Sequence, residues 1–149
     1  MHATKQVLAT AFTAVIASAG LVAATDVAAH ADNTAVSIEK QATRSASHKI
    51  LYVRATVVCS EDTTSAGLSA YVEQTNPAGG TQHAWSAVLS LNAFECTGDE
   101  QIVTIPIRRP TGGYAWQAGT AAVRHVVLTT QDPSGTYCAF LKARTVNVR

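Results

Sequence analysis

The chain has 149 residues and is nearly neutral, with 11 Lys and Arg against 10 Asp and Glu and a formal charge of +1 at pH 7. Nucleic acids and anionic lipids select clustered basic surfaces, whereas the basic residues here are scattered, and Arg108-Arg109 is their one adjacent pair. The composition therefore argues against nucleic acid or an anionic membrane as a principal partner.

The first 31 residues have the pattern of a secretory signal peptide. Lys5 precedes an apolar run over residues 7–24, and Ala29-His30-Ala31 has small residues at the two positions that a signal peptidase reads. An uncleaved membrane anchor is the alternative, because a run of about 18 residues is close to the spanning minimum, but this run is rich in weakly apolar Ala and Thr. We expect cleavage after Ala31, secretion of residues 32–149, and no stable membrane association after cleavage.

The clearest predicted strand lies at residues 50–59. Its odd positions form an unbroken apolar row consisting of Leu51, Val53, Ala55, Val57 and Cys59. A period of two over ten residues predicts a half-buried β-strand, since successive side chains leave opposite faces of a sheet. The preceding residues 32–48 are mostly small and polar, and they predict a loose N-terminal arm with one short strand at 35–38.

Five further strands are predicted after this one, with turn-forming segments between them. They lie at residues 67–74, 82–91, 101–109, 119–130 and 136–148. The predicted inward rows are Leu68, Ala70 and Val72 in the first of these, Trp85, Ala87, Leu89 and Leu91 in the second, and Val103, Ile105 and Ile107 in the third. Pro106 lacks a backbone donor, so the strand at 101–109 is predicted to lie at an edge or to be bulged.

The last predicted strand changes frame along its length. Its apolar row begins with Tyr137, Ala139, Leu141 and Ala143 and then switches to Val146 and Val148, which predicts a bulge or bend between Lys142 and Thr145. Six or seven short strands and no convincing helix predict an all-β fold. The spacing is typical of an antiparallel, immunoglobulin-like sandwich of two sheets over residues 49–149.

Three cysteines follow the leader, and an exported chain is expected to form a disulfide. We favour Cys59 with Cys96 over the two other pairings, because Cys59 ends a strand and Cys96 lies in a polar turn whose backbone can adjust. Cys138 would then remain as a free thiol, either buried and inert or available for an intermolecular bond.

Two likenesses to known families bear on this fold. Residues 132–139 look like the strand-F signature of immunoglobulin variable domains, but Tyr137 and Cys138 are adjacent and point to opposite faces, so we treat that match as chance. The chain also resembles small secreted actinobacterial proteins with an uncharacterised immunoglobulin-like domain. The stretches that carry this resemblance are the strand ending in Cys59, Cys96-Thr97-Gly98, residues 114–121 and residues 144–148. The resemblance implies a secreted β-sandwich and brings no catalytic residues.

A Cys59–Cys96 bridge would gather acidic side chains at one end of the sandwich. These weak candidates for a calcium site are Glu61, Asp62, Glu95, Asp99 and Glu100. Calcium prefers several carboxylate and carbonyl oxygens together, but the ordered spacing of an EF-hand is missing. We therefore favour the alternative that these are solvated turn residues and that no metal is bound.

The loop at residues 109–116 is the best candidate for ligand recognition. Arg108, Arg109, Tyr114 and Trp116 surround a Gly-Gly pair, and Arg, Tyr and Trp are the residue types most often found at binding hot spots. The alternative is that Trp116 or Tyr114 folds back to close the core, which we favour because a buried aromatic side chain contributes more to a small core than an exposed one.

The sequence contains no recognisable catalytic motif. It lacks the serine elbow, the zinc-protease helix and the glycine-rich phosphate loop, and His48, His83 and His125 lie far apart. We expect a secreted, non-enzymatic protein without a cofactor that binds an extracellular protein or glycan or has a structural role. The alternatives are a protease inhibitor acting through Arg108-Arg109-Pro110 and, less favoured, a hydrolase with a dispersed site.

Overall fold

The computed structural model describes residues 34–149, which form nine β-strands and contain no helix. The predicted signal peptide lies outside the described residues. Among the residues described, no helix has the length and apolar character needed to cross a membrane. The strands are β1 (Ala35–Arg44), β2 (Ile50–Val58), β3 (Ser65–Thr75), β4 (Thr81–Trp85), β5 (Leu89–Ser90), β6 (Gln101–Arg108), β7 (Gly119–Asp132), β8 (Gly135–Leu141) and β9 (Arg144–Val148).

Three of the alternating apolar rows that the sequence predicts form part of the core. On β2, the row from Leu51 to Val57 is fully buried, as is the row on β3. On β6, Ile105 and Ile107 are fully buried and Val103 nearly so. The period-two prediction is therefore confirmed for these three strands, because each turns one face toward the protein interior.

The strands pair in a single mixed sheet, in the order β4-β3-β7-β9-β1-β2-β6. β5 pairs with β3, and β8 pairs with β7 beside β9. The pairing of β1 with β9 is parallel and the others are antiparallel. The sheet curls until β3 and β4 contact β6, so that one face encloses the core. The all-β prediction is confirmed, but the strands form one continuous curled sheet rather than the two separate sheets that the sequence predicts.

The first strand is longer than predicted and lies inside the sheet. β1 extends to Arg44 rather than ending near residue 38, with an irregularity in its register between Ile38 and Ala42. It pairs with β2 along one side and with β9 along the other, so residues 35–44 are an interior strand rather than a loose arm. The irregularity explains why the predicted strand is too short, since it interrupts the alternation of apolar and polar residues on which the prediction depends.

The predicted frame of β4 is wrong by one residue. Gln82, Ala84 and Ser86 face inward, whereas Trp85 is 56% exposed. The partner strand causes the difference: Trp85 is paired with Tyr71, whose side chain lies on the outer face of β3. A tryptophan at the start of an apolar row suggested burial, but cross-strand register decides which face it occupies.

The predicted frame change in the last strand is confirmed as a complete break. β8 buries Ala139 and Leu141, and β9 buries Val146 and Val148. Both strands pair with β7, one after the other along its length. Among the strands of residues 34–149, the proline-containing strand β6 pairs with β2 alone and lies at the edge of the sheet, as Pro106 predicts.

Candidate functional site

The loop predicted for recognition mainly closes the core. Trp116 is completely buried and is the largest of the fully buried side chains. Its backbone N–H donates to the His48 carbonyl at 3.0 Å, and its carbonyl accepts a hydrogen bond from Arg44 at 3.2 Å. Trp116 is therefore removed from the candidate ligand contacts, because its ring is not accessible at the surface.

Tyr114 fastens the same loop to the hairpin formed by β3 and β4. Its hydroxyl lies 2.9 Å from the Gln74 carbonyl and within hydrogen-bonding distance of the Gly80 carbonyl. The buried Gln74 side chain accepts from the Gln117 N–H at 2.8 Å and donates to the Gln117 carbonyl at 2.9 Å. Arg108 and Arg109 are exposed. The structure thus separates the four predicted residues. The two aromatic side chains hold the loop against the rest of the domain, and the two arginines face solvent.

The predicted disulfide is confirmed, but the acidic cluster is not. Cys59 and Cys96 are bonded, with their Cα atoms 5.0 Å apart. Within residues 34–149, no three His, Cys, Asp or Glu side chains come together as a metal site. The five candidate carboxylates therefore form no such site among these residues, although the bridge is present. Cys138 is free and half-buried, and its sulfur lies 3.7 Å from the Thr129 hydroxyl.

A different cluster forms on the outer face of β3, β4 and β7. Tyr71 lies at its centre on β3, with Trp85 on β4 and His125 on β7 in the same cross-strand row. The Tyr71 ring centroid is 4.9 Å from that of Trp85 and 6.1 Å from that of His125, and the His83 ring is 6.2 Å away. The Trp85 and His125 rings are within 10° of parallel, with centroids 6.5 Å apart. We call Tyr71, His83, Trp85 and His125 the aromatic cluster.

A β-bulge in β7 gives the cluster its composition. Tyr71 pairs with His125 and Val72 pairs with Val123, so Arg124 is an extra residue on β7. Arg124 and His125 are consecutive, yet both are exposed. Arg124 forms an ion pair with Glu73, which is beside Tyr71 on the outer face. The bulge therefore presents a ring and a paired charge on one face, as bulges commonly do at binding sites.

A shallow groove adjoins the aromatic cluster along the same face. It has a volume of about 320 Å³, within the lower range of small-molecule sites. Its floor is formed by the small residues Gly67 and Ser69, and Val88 forms an apolar wall. Hydroxyl and amide groups come from residues that include Ser65, Thr129, Gln131 and Thr136, and Ala66 and Val127 add further apolar lining. Phe140 on β8, which is 55% exposed, pairs with Val127 beside the groove.

Sequence reasoning missed this face because its residues are far apart along the chain. The sequence pattern predicts that Trp85 faces the core, and it gives no reason to bring His83 and His125 together, since they lie far apart along the chain. The available signal was the alternation of Tyr71 and Glu73 with the buried row of β3, which predicts an outward-facing aromatic residue. Comparison of the chain with protein-family models, curated proteins and solved structures finds no match.

Proposed function

We propose that this chain is an exported, non-enzymatic binding protein that holds its ligand on the outer face of β3, β4, β7 and β8. The observation that carries the proposal is the exposure of Trp85 and Phe140 on this one face, at 56% and 55%. Large aromatic side chains are normally buried in a small domain, and exposed ones grouped on a surface mark interaction sites. The adjoining groove supports the same conclusion.

Export is supported by the disulfide and by the predicted leader. Disulfides form and persist in oxidising compartments and are rare in the cytosol. The bond joins the buried Cys59, at the end of β2, to Cys96 in the segment before β6. A bond in that position stabilises a domain that must survive outside the cell.

An immunoglobulin-like arrangement is part of the proposal. If the short parallel contact between β1 and β9 is set aside, β1-β2-β6 and β4-β3-β7-β8 form two groups of antiparallel strands. In order and pairing these correspond to strands A-B-E and C′-C-F-G of that fold. The disulfide differs, since the immunoglobulin bond joins strands B and F. The proposed binding face is the outer face of the second group.

The proposal is tested by binding to immobilised glycans and extracellular proteins with matched surface variants. Trp85→Ala and Phe140→Ala remove side chains of the outer face, and Ile102→Ala removes a side chain that is also 56% exposed but lies on β6. We expect a retained ligand to be lost by the first two variants and kept by the third. Retention that is the same in all three variants, or no retention by the unaltered protein, would refute the proposal.

A further inference from the structure

We infer that the ligand of this face is an uncharged glycan, with one sugar ring against Trp85 and a neighbouring sugar in the groove. The inference rests on the proposed binding function and names its substrate class. It is carried by three features of the outer face: the orientation of the rings, the pairing of the charges, and the chemistry of the groove lining.

The rings of the aromatic cluster suit the apolar face of a sugar. One face of a pyranose ring presents C–H groups, which pack on the electron-rich face of an aromatic ring. Trp85 supplies the largest exposed ring, and Tyr71 contacts it from β3 with the rings tilted by 39°. The nearly parallel His125 ring extends this surface across three strands. The position of Trp85 is thus fixed by packing before any ligand arrives, which lowers the entropy lost on binding.

The charges beside the cluster cancel each other. Glu73 and Arg124 are ion-paired, and the strand positions leading toward the groove carry Ser69 and Val127. An acidic polysaccharide would require unpaired basic side chains, and a basic ligand would require unpaired carboxylates. This pairing therefore favours a ligand without formal charge.

The groove matches the hydroxyl groups of a second sugar. Its hydroxyls and amide can both donate and accept hydrogen bonds, as sugar hydroxyls do. Ser69 is two residues from Tyr71 on β3, which places the near edge of the groove about 7 Å from Tyr71. Gly67 keeps the floor low: a Cβ at this position would lie 3.2 Å from the Val88 side chain. A linear chain of sugars can therefore contact both parts of the face.

A folded protein partner fits the face less well. Stable protein interfaces bury about 800 Å² on each partner around a continuous apolar centre. Here the exposed apolar side chains of Trp85, Val88 and Phe140 are spread over the face, and the groove is lined by apolar and hydroxyl-bearing residues together. The distribution of polar and apolar groups resembles a sugar, whose hydroxyls and C–H faces also alternate.

The tryptophans allow a direct test by fluorescence. Trp116 is completely buried and Trp85 is exposed, so a ligand on the outer face changes the emission of Trp85. The probes are the neutral hexasaccharides of cellulose, xylan, mannan and chitin, with polygalacturonate and heparin as charged comparisons. We expect at least one neutral probe to change the emission, with an affinity that varies less than about twofold between 0.05 and 0.5 M NaCl, since no charge is screened.

Variants decide where the glycan binds, with affinity measured by calorimetry. Trp85→Ala is expected to weaken binding at least about tenfold, and Ser69→Phe, which fills the groove, to weaken binding of the hexasaccharide but not of a disaccharide. Ile102→Ala is the control and should bind normally, and circular dichroism should show that all three variants are folded. If no neutral probe binds, or if Trp85→Ala binds as well as the unaltered protein, the inference is wrong. A protein ligand lost by Trp85→Ala would leave the proposed function standing and refute the glycan alone.

Discussion

Replacing Trp116 with alanine tests the conclusion that the loop after β6 closes the core. The side chain is 0% exposed and is the largest of the fully buried side chains. Removing a buried tryptophan or phenylalanine costs about 3–5 kcal/mol, because apolar contacts are lost and a cavity remains. A domain of this size has a free energy of unfolding of about 5–15 kcal/mol, so Trp116→Ala should be folded but much less stable.

Trp85→Ala provides a matched control, since it deletes the same atoms from the outer face. The side chain is 56% exposed, and its main loss is the contact with the Tyr71 ring, 4.9 Å away between centroids. Such aromatic pairs contribute about 0.5–1.5 kcal/mol beyond the area that they bury. Because more than half of Trp85 is in solvent and its removal leaves no enclosed cavity, Trp116→Ala should be the less stable of the two variants.

The measurement is urea denaturation followed by far-ultraviolet circular dichroism, with the disulfide intact in both variants. Circular dichroism is needed because each substitution removes one of the two fluorescent reporters. The dependence on urea should be similar in both variants, so that the midpoints report stability. Equal losses in the two variants would show that the difference in burial does not govern their stability, and our assignment of Trp116 to the core would fall.

Three further predictions concern the disulfide, a turn and a buried amide. Replacing both Cys59 and Cys96 with alanine should lower the free energy of unfolding by about 3–4 kcal/mol, as expected for a bridge that closes 37 residues, and an unchanged urea midpoint would contradict this. The Ser134 hydroxyl donates to Asp132 and lowers the pKa of that carboxyl. A carboxyl whose pKa is lower in the folded state stabilises the fold at pH values above its unfolded pKa, and this stabilisation is lost as the pH falls through its folded pKa. Asp132→Asn should therefore lessen the decline in stability below about pH 4. The measurement is a comparison of urea midpoints at about pH 7 and pH 3. Both amide atoms of Gln82 are buried without a partner among residues 34–149, so Gln82→Met should raise the free energy of unfolding by about 1–3 kcal/mol, and a loss of stability would show that the amide is satisfied.

Local alternation determined which strands could be identified in advance. β2, β3 and β6 have complete apolar rows, so their inward faces followed from a period of two. The pairing of Cys59 with Cys96 also followed from local context, since one cysteine ends a strand and the other lies in a turn. These inferences needed no knowledge of which strand lies beside which.

Register between distant strands could not be inferred in this way. Trp85 continued an apolar row in the sequence, but its pairing with Tyr71 places it outside. The bulge that exposes both Arg124 and His125 exists only because β7 pairs with β3. The aromatic cluster depends on both pairings, and no local pattern contains either.

The sequence by itself determined that this is an all-β chain with one core face on most strands and one predictable disulfide. The tertiary structure decided that the strands form one curled sheet, that Trp116 fills the core, and that Trp85 is exposed beside Tyr71 and His125. The physical reason is the range of the interactions. Alternate burial depends on the order of residues along a single strand, whereas the surface that would meet a ligand is made by neighbours in the sheet up to 66 residues apart, from Ser65 to Gln131.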